Sequence, residues 1–163
     1  MGEEFDAAVW DDRLQSLRQP LGDRASLTAR PGWLRLTGQE SLNSRHHVSL
    51  VARRQTEHEM TADTCMDFAP LPEQLAGLAY YYDAMNFYLL GKTCTEDGAA
   101  VLTLLRSDTG VIEEVCDPVR CRMAPLELRL ETTPDGRGAQ FRWRADGGGL
   151  GRHRPCMHNG DSD

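Results

Sequence analysis

The chain has 163 residues, of which 40% are hydrophobic and 26% are charged, and its formal net charge is -7. This length suits one domain with a hydrophobic core, and the composition favours a folded chain over a disordered one. The negative charge and the scattered basic residues argue against a nucleic-acid partner, because phosphate binding needs clustered lysine and arginine. No apolar run is long enough to span a membrane, and the acidic start lacks the apolar core of a secretory signal.

The first third of the chain carries weak structural signals. Helix-like spacing is confined to "FDAAVWDDRLQSLRQ" (residues 5–19), which predicts at most a turn or two of helix. "WLRLTG" (33–38) predicts a short strand, because Arg-Pro-Gly precedes it and a glycine ends it. "MTADTCMDF" (60–68) then alternates, which predicts a strand with one apolar face. That face carries Met60, Ala62, Thr64, Met66 and Phe68.

Two central segments are apolar on both faces, "LAGLAYYYD" (75–83) and "NFYLLGK" (86–92). Their close spacing predicts a tight connection between two strands that lie in the middle of a sandwich or under a groove. A further strand, "AAVLTLLRSD" (99–108), follows the turn "TEDG". The Gly-Lys-Thr between them is a chance match to a phosphate-binding loop, because the upstream glycine and the following helix are missing.

The clearest pattern is a hairpin near residue 130. Leucines at 126, 128 and 130 alternate with charged residues, and "QFRWRA" (140–145) alternates in the same way around Phe141 and Trp143. The "TTPDGRG" between them is a turn of the type that closes a hairpin. Many short strands separated by turns predict an all-β fold, a β-sandwich or jelly roll. The residues expected in its core are Leu34, Leu36, Met60, Met66, Phe68, Leu126, Leu128, Leu130, Phe141 and Trp143.

The alternation stops after Asp146. "GGGLGRHRPCMHNGDSD" is rich in glycine and poor in apolar residues, so we expect residues 5–146 to form the sandwich and 147–163 a flexible or aberrant tail. His153, Cys156 and His158 could be metal ligands, but a structural zinc site wants four, and we expect no metal and no cofactor. The five cysteines are odd in number and irregularly spaced, which favours reduced thiols and a cytoplasmic location.

Two clusters are candidates for a binding site. "SRHHVSLVARR" (44–54) places two histidines and two arginines close together, as either a ligand-reading cluster or a solvated loop and strand. The aromatic cluster at 80–88 could stack on sugar rings, but aromatic residues are also a normal filling of a half-buried sheet, and we favour that reading.

Several motifs in a consistent order resemble one known family. The segment "LGDRASLTARPGWLRLTGQESLNS…SLVARRQTEHEMTADTCMDFAP…QLAGLAYYYDAMNFYLL" resembles the C-terminal β-sandwich of β-xylosidases and α-L-arabinofuranosidases of glycoside hydrolase family 43. The resemblance runs from about residue 5 to 147. Its most specific parts are "RPGWLRL", "ESL", "LVARRQ" and "AGLAYYY".

The resemblance implies a concanavalin-A-like jelly roll that packs on a catalytic five-bladed propeller. In that family the general acid and the general base both belong to the propeller, so the resemblance implies no catalytic residue in this chain. Relatives continue with further core strands after the position of residue 146. Here the glycine-rich segment stands instead, so we expect a jelly roll that lacks its last strands, with an uncovered edge or patch that favours self-association.

The resemblance also gives the histidine–arginine cluster a role. Relatives often carry a phenylalanine soon after "ESL" that reaches towards the substrate pocket, and counting from both sides places that position at His46. His46 and Arg45 are therefore the candidates for the rim of a xylo-oligosaccharide pocket. Alternation along the strand predicts that one of Arg53 and Arg54 points to solvent and the other inward or towards a partner surface, which makes them candidates for packing on the propeller.

Three functions remain open at this point. The first is an accessory, non-catalytic sandwich of a xylan- or xylo-oligosaccharide-degrading hydrolase. The second is a free-standing carbohydrate-binding module that uses the tyrosine-rich face, and the third is a glycosidase that becomes active with a propeller chain. The sequence does not distinguish xylose from arabinose specificity, the oligomeric state, or a complete from a truncated or frame-shifted gene product.

Overall fold

The computed structural model describes residues 5–6 and 9–145. The expected tail and the three ligand candidates at 153, 156 and 158 lie outside the described residues. Within them the chain is all-β, with one turn of 3-10 helix at Gly22–Arg24, and no helix there is long and apolar enough to cross a membrane. The strands are β1 (Leu14–Ser16), β2 (Ala25–Ser26), β3 (Arg35–Leu36), β4 (Val51–Arg53), β5 (Thr61–Met66), β6 (Ala76–Tyr81), β7 (Phe87–Cys94), β8 (Ala100–Asp108), β9 (Val111–Glu114), β10 (Val119–Arg120), β11 (Leu126–Thr132) and β12 (Ala139–Ala145).

The chain divides into two compact units at the boundary between residues 56 and 57. The second unit contains two antiparallel sheets. One has five strands, in which β7 lies between β6 and β8, and β9 and β10 both pair with β8. The other has three strands in the order β12-β11-β5. The inner faces of the two sheets share one hydrophobic core, so this unit is a β-sandwich.

The three-stranded sheet is built on the predicted hairpin. β11 and β12 pair antiparallel across the Pro-Asp-Gly turn, with Leu128 opposite Trp143 and Leu130 opposite Phe141. The hydroxyl of Thr133 accepts a hydrogen bond from Gly138 N–H (2.9 Å) inside the turn, and Gly136 adopts a φ of 69°, which glycine tolerates without strain. The alternation of leucines therefore selects the buried face, as predicted.

The five-stranded sheet confirms the predicted tight connection and the buried position of β7, whereas β6 is the last strand of that sheet in the described part of the chain and is only half-buried. β6 and β7 are joined by a short turn in which the Asp83 carboxylate accepts hydrogen bonds from the N–H groups of Met85 (2.7 Å) and Asn86 (2.8 Å). β7 has a strand on each side and is buried on both faces. Phe87 and Leu89 are buried on one face, and Leu90 and Lys92 on the other.

The predicted core residues differ in their burial. Leu126, Leu128, Leu130 and Phe141 are at most 5% exposed, and Met60, Met66 and Trp143 are half-buried against them. Leu34 and Phe68 are also half-buried. The prediction is wrong for Leu36, which is 40% exposed. Its strand β3 has only two residues, and a pattern this short cannot define which face of a sheet is covered.

The strands in the described part of the first unit are all short. β1 pairs with β4, and β2 pairs with β3, each antiparallel. The expected helical turn within residues 5–19 is wrong for Leu14–Ser16, which forms β1. The spacing of apolar residues in that stretch looked helical, but cross-strand pairing with residues 51–53 decides its conformation, and tertiary contacts commonly override such weak local signals.

Candidate functional site

The two histidines of the cluster and Arg45 lie on a closed loop between β3 and β4. We call residues 40–47 the rim loop. Its two ends are joined by Glu40 N–H, which donates to His47 O (3.0 Å), and a tighter turn inside it is closed by Ser44 N–H, which donates to Ser41 O (2.9 Å). These backbone bonds give the loop a defined shape although it contains no regular secondary structure.

The carboxylate of Glu40 holds the rim loop from inside. It accepts a short hydrogen bond from the Ser44 hydroxyl and a longer one from His47 N–H (3.4 Å). The Ser44 hydrogen bond is the main reason that the pKa of Glu40 is lowered, with the His47 backbone N–H second and the nearby His47 and His46 rings adding smaller contributions. Glu40 therefore keeps its charge, and with it its hydrogen bonds to the loop, to a lower pH than an ordinary glutamate would.

His46 and Arg45 project from this frame. Both side chains are exposed, and the His46 N–H donates to the Ser44 hydroxyl (3.0 Å), which fixes the backbone while leaving the imidazole on the surface. The structure thus places both rim candidates on one exposed loop, as expected. An imidazole at this position can donate or accept a hydrogen bond.

Two residues from another part of the first unit anchor the rim loop. The Arg18 guanidinium donates to Ser44 O (2.9 Å), and the Gln19 amide nitrogen lies 2.7 Å from Nδ1 of His47. Because that amide nitrogen only donates, Nδ1 accepts, and the proton of a neutral His47 ring sits on Nε2. His47 is therefore an anchoring residue, which separates its role from that of its neighbour His46.

Arg18 and Gln19 occupy a strained turn. Arg18 has a φ of 64°, and Gln19 N–H donates to Leu17 O (2.8 Å) across it. A non-glycine residue in this region costs roughly 1–2 kcal/mol, and such strain is concentrated at functional sites. Sequence reasoning missed both residues, because neither belongs to the cluster and a positive φ at an arginine leaves no sequence signal.

The two arginines at the end of β4 are both exposed. Arg53 pairs with Leu14 of β1 through the backbone, and Arg54 follows the end of the strand. Neither side chain is buried, so the inward orientation considered for one of them does not occur in the described structure. The alternative, that one of them faces a partner surface, stays a prediction.

The aromatic cluster is mostly part of the sheet. Phe87 is 4% exposed and stacks with Tyr81 at 6.2 Å between ring centroids, and Tyr80 and Tyr88 pack half-buried against the core. Only Tyr82 presents a large surface, at 86% exposure. One exposed ring does not form a sugar-stacking platform, so the preference for core filling agrees with the structure.

No group of three or more histidine, cysteine, aspartate or glutamate side chains in the described part of the chain could hold a metal ion. The first unit has a shallow pocket of about 260 Å³ beside β1, lined by mixed residues that include Trp10, Gln15, Leu21 and Val51. It is open to solvent and contains no ionisable side chain, so it offers no acid–base chemistry.

Comparisons with known proteins agree with the resemblance. Residues 2–158 match the family of β-xylosidase C-terminal concanavalin A-like domains. Xylosidase/arabinosidase 43B of Humicola insolens is 35% identical over 158 residues, which are 94% of this chain and 29% of that protein. Xylan 1,3-β-xylosidase of a Vibrio species is 37% identical over 108 residues, which are 65% of this chain and 20% of that protein.

A solved structure shows the same fold. The crystal structure of xylan β-1,4-xylosidase from Bacillus halodurans C-125 superposes with a TM-score of 0.85 at 30% sequence identity, over 90% of this chain and 28% of that one. The chain thus spans less than a third of the length of these relatives. It adopts the concanavalin-A-like β-sandwich fold, and it belongs to the family of C-terminal domains of glycoside hydrolase family 43 β-xylosidases.

Proposed function

We propose that this chain is an accessory, non-catalytic sandwich of a xylo-oligosaccharide-degrading hydrolase. It packs on a catalytic propeller, and its rim loop borders the substrate pocket. The family membership and the share of each relative that the chain covers support an accessory role, and the relatives are xylosidases by name. The observation that carries the proposal is the rim loop, which is braced from several sides yet leaves His46 and Arg45 exposed.

The bracing matters because a pocket wall has to hold its shape. An exposed loop that only separates two strands needs no anchoring from elsewhere. This loop is held by hydrogen bonds from three places: from Glu40 within the loop, from Arg18 and Gln19 in another segment, and between the backbone groups at its two ends. Preorganisation of this kind reduces the entropy that substrate binding would otherwise cost.

The carboxyl groups whose pKa values are lowered are unsuited to act as a general acid. The pKa values of Glu40, Asp97 and Asp135 are all lowered, in each case mainly by a hydrogen bond from a serine or threonine hydroxyl. Such bonds favour the ionised form. A general acid in glycoside hydrolysis needs the opposite, a raised pKa that keeps its proton near neutral pH.

The proposed partner surface includes exposed groups of the first unit. Arg53 and Arg54 offer two guanidinium groups, and Leu36 (40%) and Trp10 (42%) offer apolar surface. A mixture of arginine and large apolar side chains is typical of protein–protein interfaces. We assign these residues to the contact with the propeller, and the exposure of Leu36 then becomes a consequence of its role in the complete enzyme.

The role of His46 can be tested in an assembled enzyme. The chain is joined to a cognate propeller, and His46→Ala is compared with the unchanged protein on xylobiose and xylotriose. Loss of one hydrogen bond to a sugar hydroxyl should lower kcat/KM about 3- to 10-fold on both substrates. An aryl xyloside, which fills less of the pocket, should be affected less.

His58→Ala is the matched control, because His58 is also exposed but precedes β5 in the second unit. It should leave the kinetics unchanged. Equal kinetics of His46→Ala and the unchanged enzyme on every substrate would refute the rim role. A similar loss in both histidine variants would point to a general effect on folding.

A further inference from the structure

Ser44 is the residue at which the hydrogen bonds of the rim loop meet. Its backbone N–H donates to Ser41 O (2.9 Å), and its backbone carbonyl accepts from the Arg18 guanidinium (2.9 Å). Its hydroxyl donates to the Glu40 carboxylate and accepts from His46 N–H (3.0 Å). A serine offers one backbone donor, one backbone acceptor, and a hydroxyl that can both donate and accept. Ser44 uses all of these groups to hold the rim loop.

The Ser44 hydroxyl sets the direction of the backbone at His46. A hydroxyl that accepts from the N–H two residues further on closes a local turn, which restricts the backbone torsions between the two residues. His46 lies at the end of this turn, and its Cα–Cβ bond leaves the backbone there. The hydroxyl therefore limits the directions in which the exposed imidazole can extend.

Glu40 holds the hydroxyl in the orientation that this turn requires. A serine hydroxyl can rotate to suit its partners until its hydrogen has an acceptor. Because the hydrogen points to the Glu40 carboxylate, a lone pair of the same oxygen is available to His46 N–H. This hydrogen bond is also the largest cause of the lowered pKa of Glu40, as expected for a hydroxyl that donates to an ionised carboxylate.

A similar local turn occurs at Ser26, outside the rim loop. The Ser26 hydroxyl accepts from Ala29 N–H (3.0 Å) and from Thr28 N–H (3.3 Å), and Ser26 is half-buried like Ser44. The Ser26 oxygen lies 3.4 Å from the hydroxyl of Thr28, where that of Ser44 has a carboxylate. Ser26 belongs to β2, so it has the local turn of Ser44 in another part of the first unit.

We propose that Ser44 is a positioning residue that determines how well the enzyme binds xylo-oligosaccharides. It acts by holding His46 in the conformation that meets a sugar hydroxyl, and not through a contact of its own with the substrate. This inference rests on the proposed function, since it takes the pocket rim as the place where His46 works. Without the Ser44 hydroxyl, His46 occupies that conformation for a smaller fraction of the time, and the apparent affinity for the substrate falls in proportion.

The kinetic test uses the chain joined to a cognate propeller, with xylobiose and xylotriose as substrates. Ser44→Ala should raise KM about 2- to 5-fold on both and leave kcat unchanged, because bound substrate selects the ordered loop. An aryl xyloside should be affected less. Ser44→Thr keeps the hydroxyl, so its KM should stay close to that of the unchanged enzyme. Ser26→Ala is the matched control and should leave both constants unchanged.

A double variant shows whether Ser44 acts through His46. If it does, Ser44→Ala adds no further loss of kcat/KM to an enzyme that already carries His46→Ala, because there is no imidazole left to position. Two changes that act independently would instead multiply their losses. The double variant therefore separates positioning of His46 from a general effect of Ser44 on the fold.

Nuclear magnetic resonance of the whole chain without a propeller tests the hydrogen bonds of Ser44 independently of activity. A pH titration of the side-chain carboxyl signals should show that the pKa of Glu40 rises towards that of an ordinary glutamate in Ser44→Ala. In Ser44→Thr and in Ser26→Ala the pKa of Glu40 should stay low, because both proteins keep a hydroxyl at position 44.

The outcomes separate this inference from the proposed function. Equal kinetics of His46→Ala and the unchanged enzyme would overturn the proposed function and this inference with it. A loss in His46→Ala without a loss in Ser44→Ala would overturn the inference alone. So would a double variant in which the two losses multiply, or a pKa of Glu40 that does not respond to Ser44→Ala.

Discussion

Lys92 is the only lysine in the chain, and its side chain has no exposed surface. It extends from the inner face of β7, and its amine donates to Ala124 O (2.9 Å). Burial is the main reason that the pKa of Lys92 is lowered, whereas the charges of Cys121 and Asp67 raise it. The Gly-Lys-Thr sequence around Lys92 matches only part of a phosphate-binding loop. The structure shows instead a buried amine that is hydrogen-bonded to the segment before β11.

We predict that Lys92 makes stability increase with pH in the alkaline range. Its pKa in the folded chain is below the ordinary value of about 10.4 that applies to the unfolded chain. Below the folded pKa the buried ammonium is charged in both states and its desolvation destabilises the fold. Between the two pKa values the folded chain releases the proton first, so the free energy of unfolding rises, by at most about 1.4 kcal/mol per pH unit.

Urea unfolding of the chain and of Lys92→Met, over a series from neutral to alkaline pH, measures this effect. Both proteins carry Cys121→Ala, because burial raises the pKa of the Cys121 thiol and it would titrate in the same range. As the pH rises, the free energy of unfolding of the protein with Lys92 should increase relative to that of the Lys92→Met protein. A difference that is constant with pH would contradict the prediction, as would rapid labelling of Lys92 by an amine-reactive ester in the folded chain.

At the scale of the element, β6 and β7 approach each other closely at two facing glycines. Gly77 pairs with Gly91, and a Cβ atom built on Gly77 would lie 1.9 Å from Leu90 O and 2.7 Å from Gly91 Cα. Real Cβ atoms do not come this close to backbone atoms, and backbone atoms within a paired strand cannot move aside cheaply. Glycine at 77 is therefore a requirement of this strand pair.

We predict that Gly77→Ala destabilises the chain by about 1–3 kcal/mol or more, the range measured for overpacked sites. Gly38→Ala is the matched control, because a Cβ atom there meets nothing within 4 Å and its φ is not in the left-handed region. The midpoint of urea unfolding should fall for Gly77→Ala and stay close to the unchanged value for Gly38→Ala. Equal midpoints for the two variants would show that the strands separate at little cost.

The elements differ in how well the sequence predicts them. The strands around Leu128 and Phe141 were predictable, because seven-residue strands alternate long enough to define a face and a Pro-Asp-Gly turn sets their register. β1 was not predicted as a strand, and β3 was predicted as a strand but with the wrong face buried, because strands of two or three residues contain less than two periods. Leu36 was expected in the core for this reason, and its exposure depends on what the chain packs against.

At the scale of the whole molecule, the order of the strands in the sheets could not be predicted from the sequence. β5 joins the sheet of β11, and Asp63 binds Arg129 (2.6 Å), although about sixty residues separate them. Such pairing depends on which faces fit in three dimensions, and no local pattern encodes it. The division into two compact units after residue 56 likewise leaves no mark in composition.

The candidate site could also be predicted only in part from the sequence. Motifs of the family placed His46 and Arg45 on a loop, and the structure agrees that both are exposed there. The anchors Arg18, Gln19 and Glu40 were missed, because their importance lies in hydrogen bonds to the loop rather than in their type.

The central claim is that the rim loop borders a xylo-oligosaccharide pocket in a larger enzyme. A crystal structure of the chain joined to a cognate propeller, with xylotriose bound, tests it most directly. We predict a ring nitrogen of His46 at about 3 Å from a sugar hydroxyl, with Glu40 still holding the loop. A structure in which the sugar is bound and residues 40–47 face solvent away from the pocket would contradict the claim.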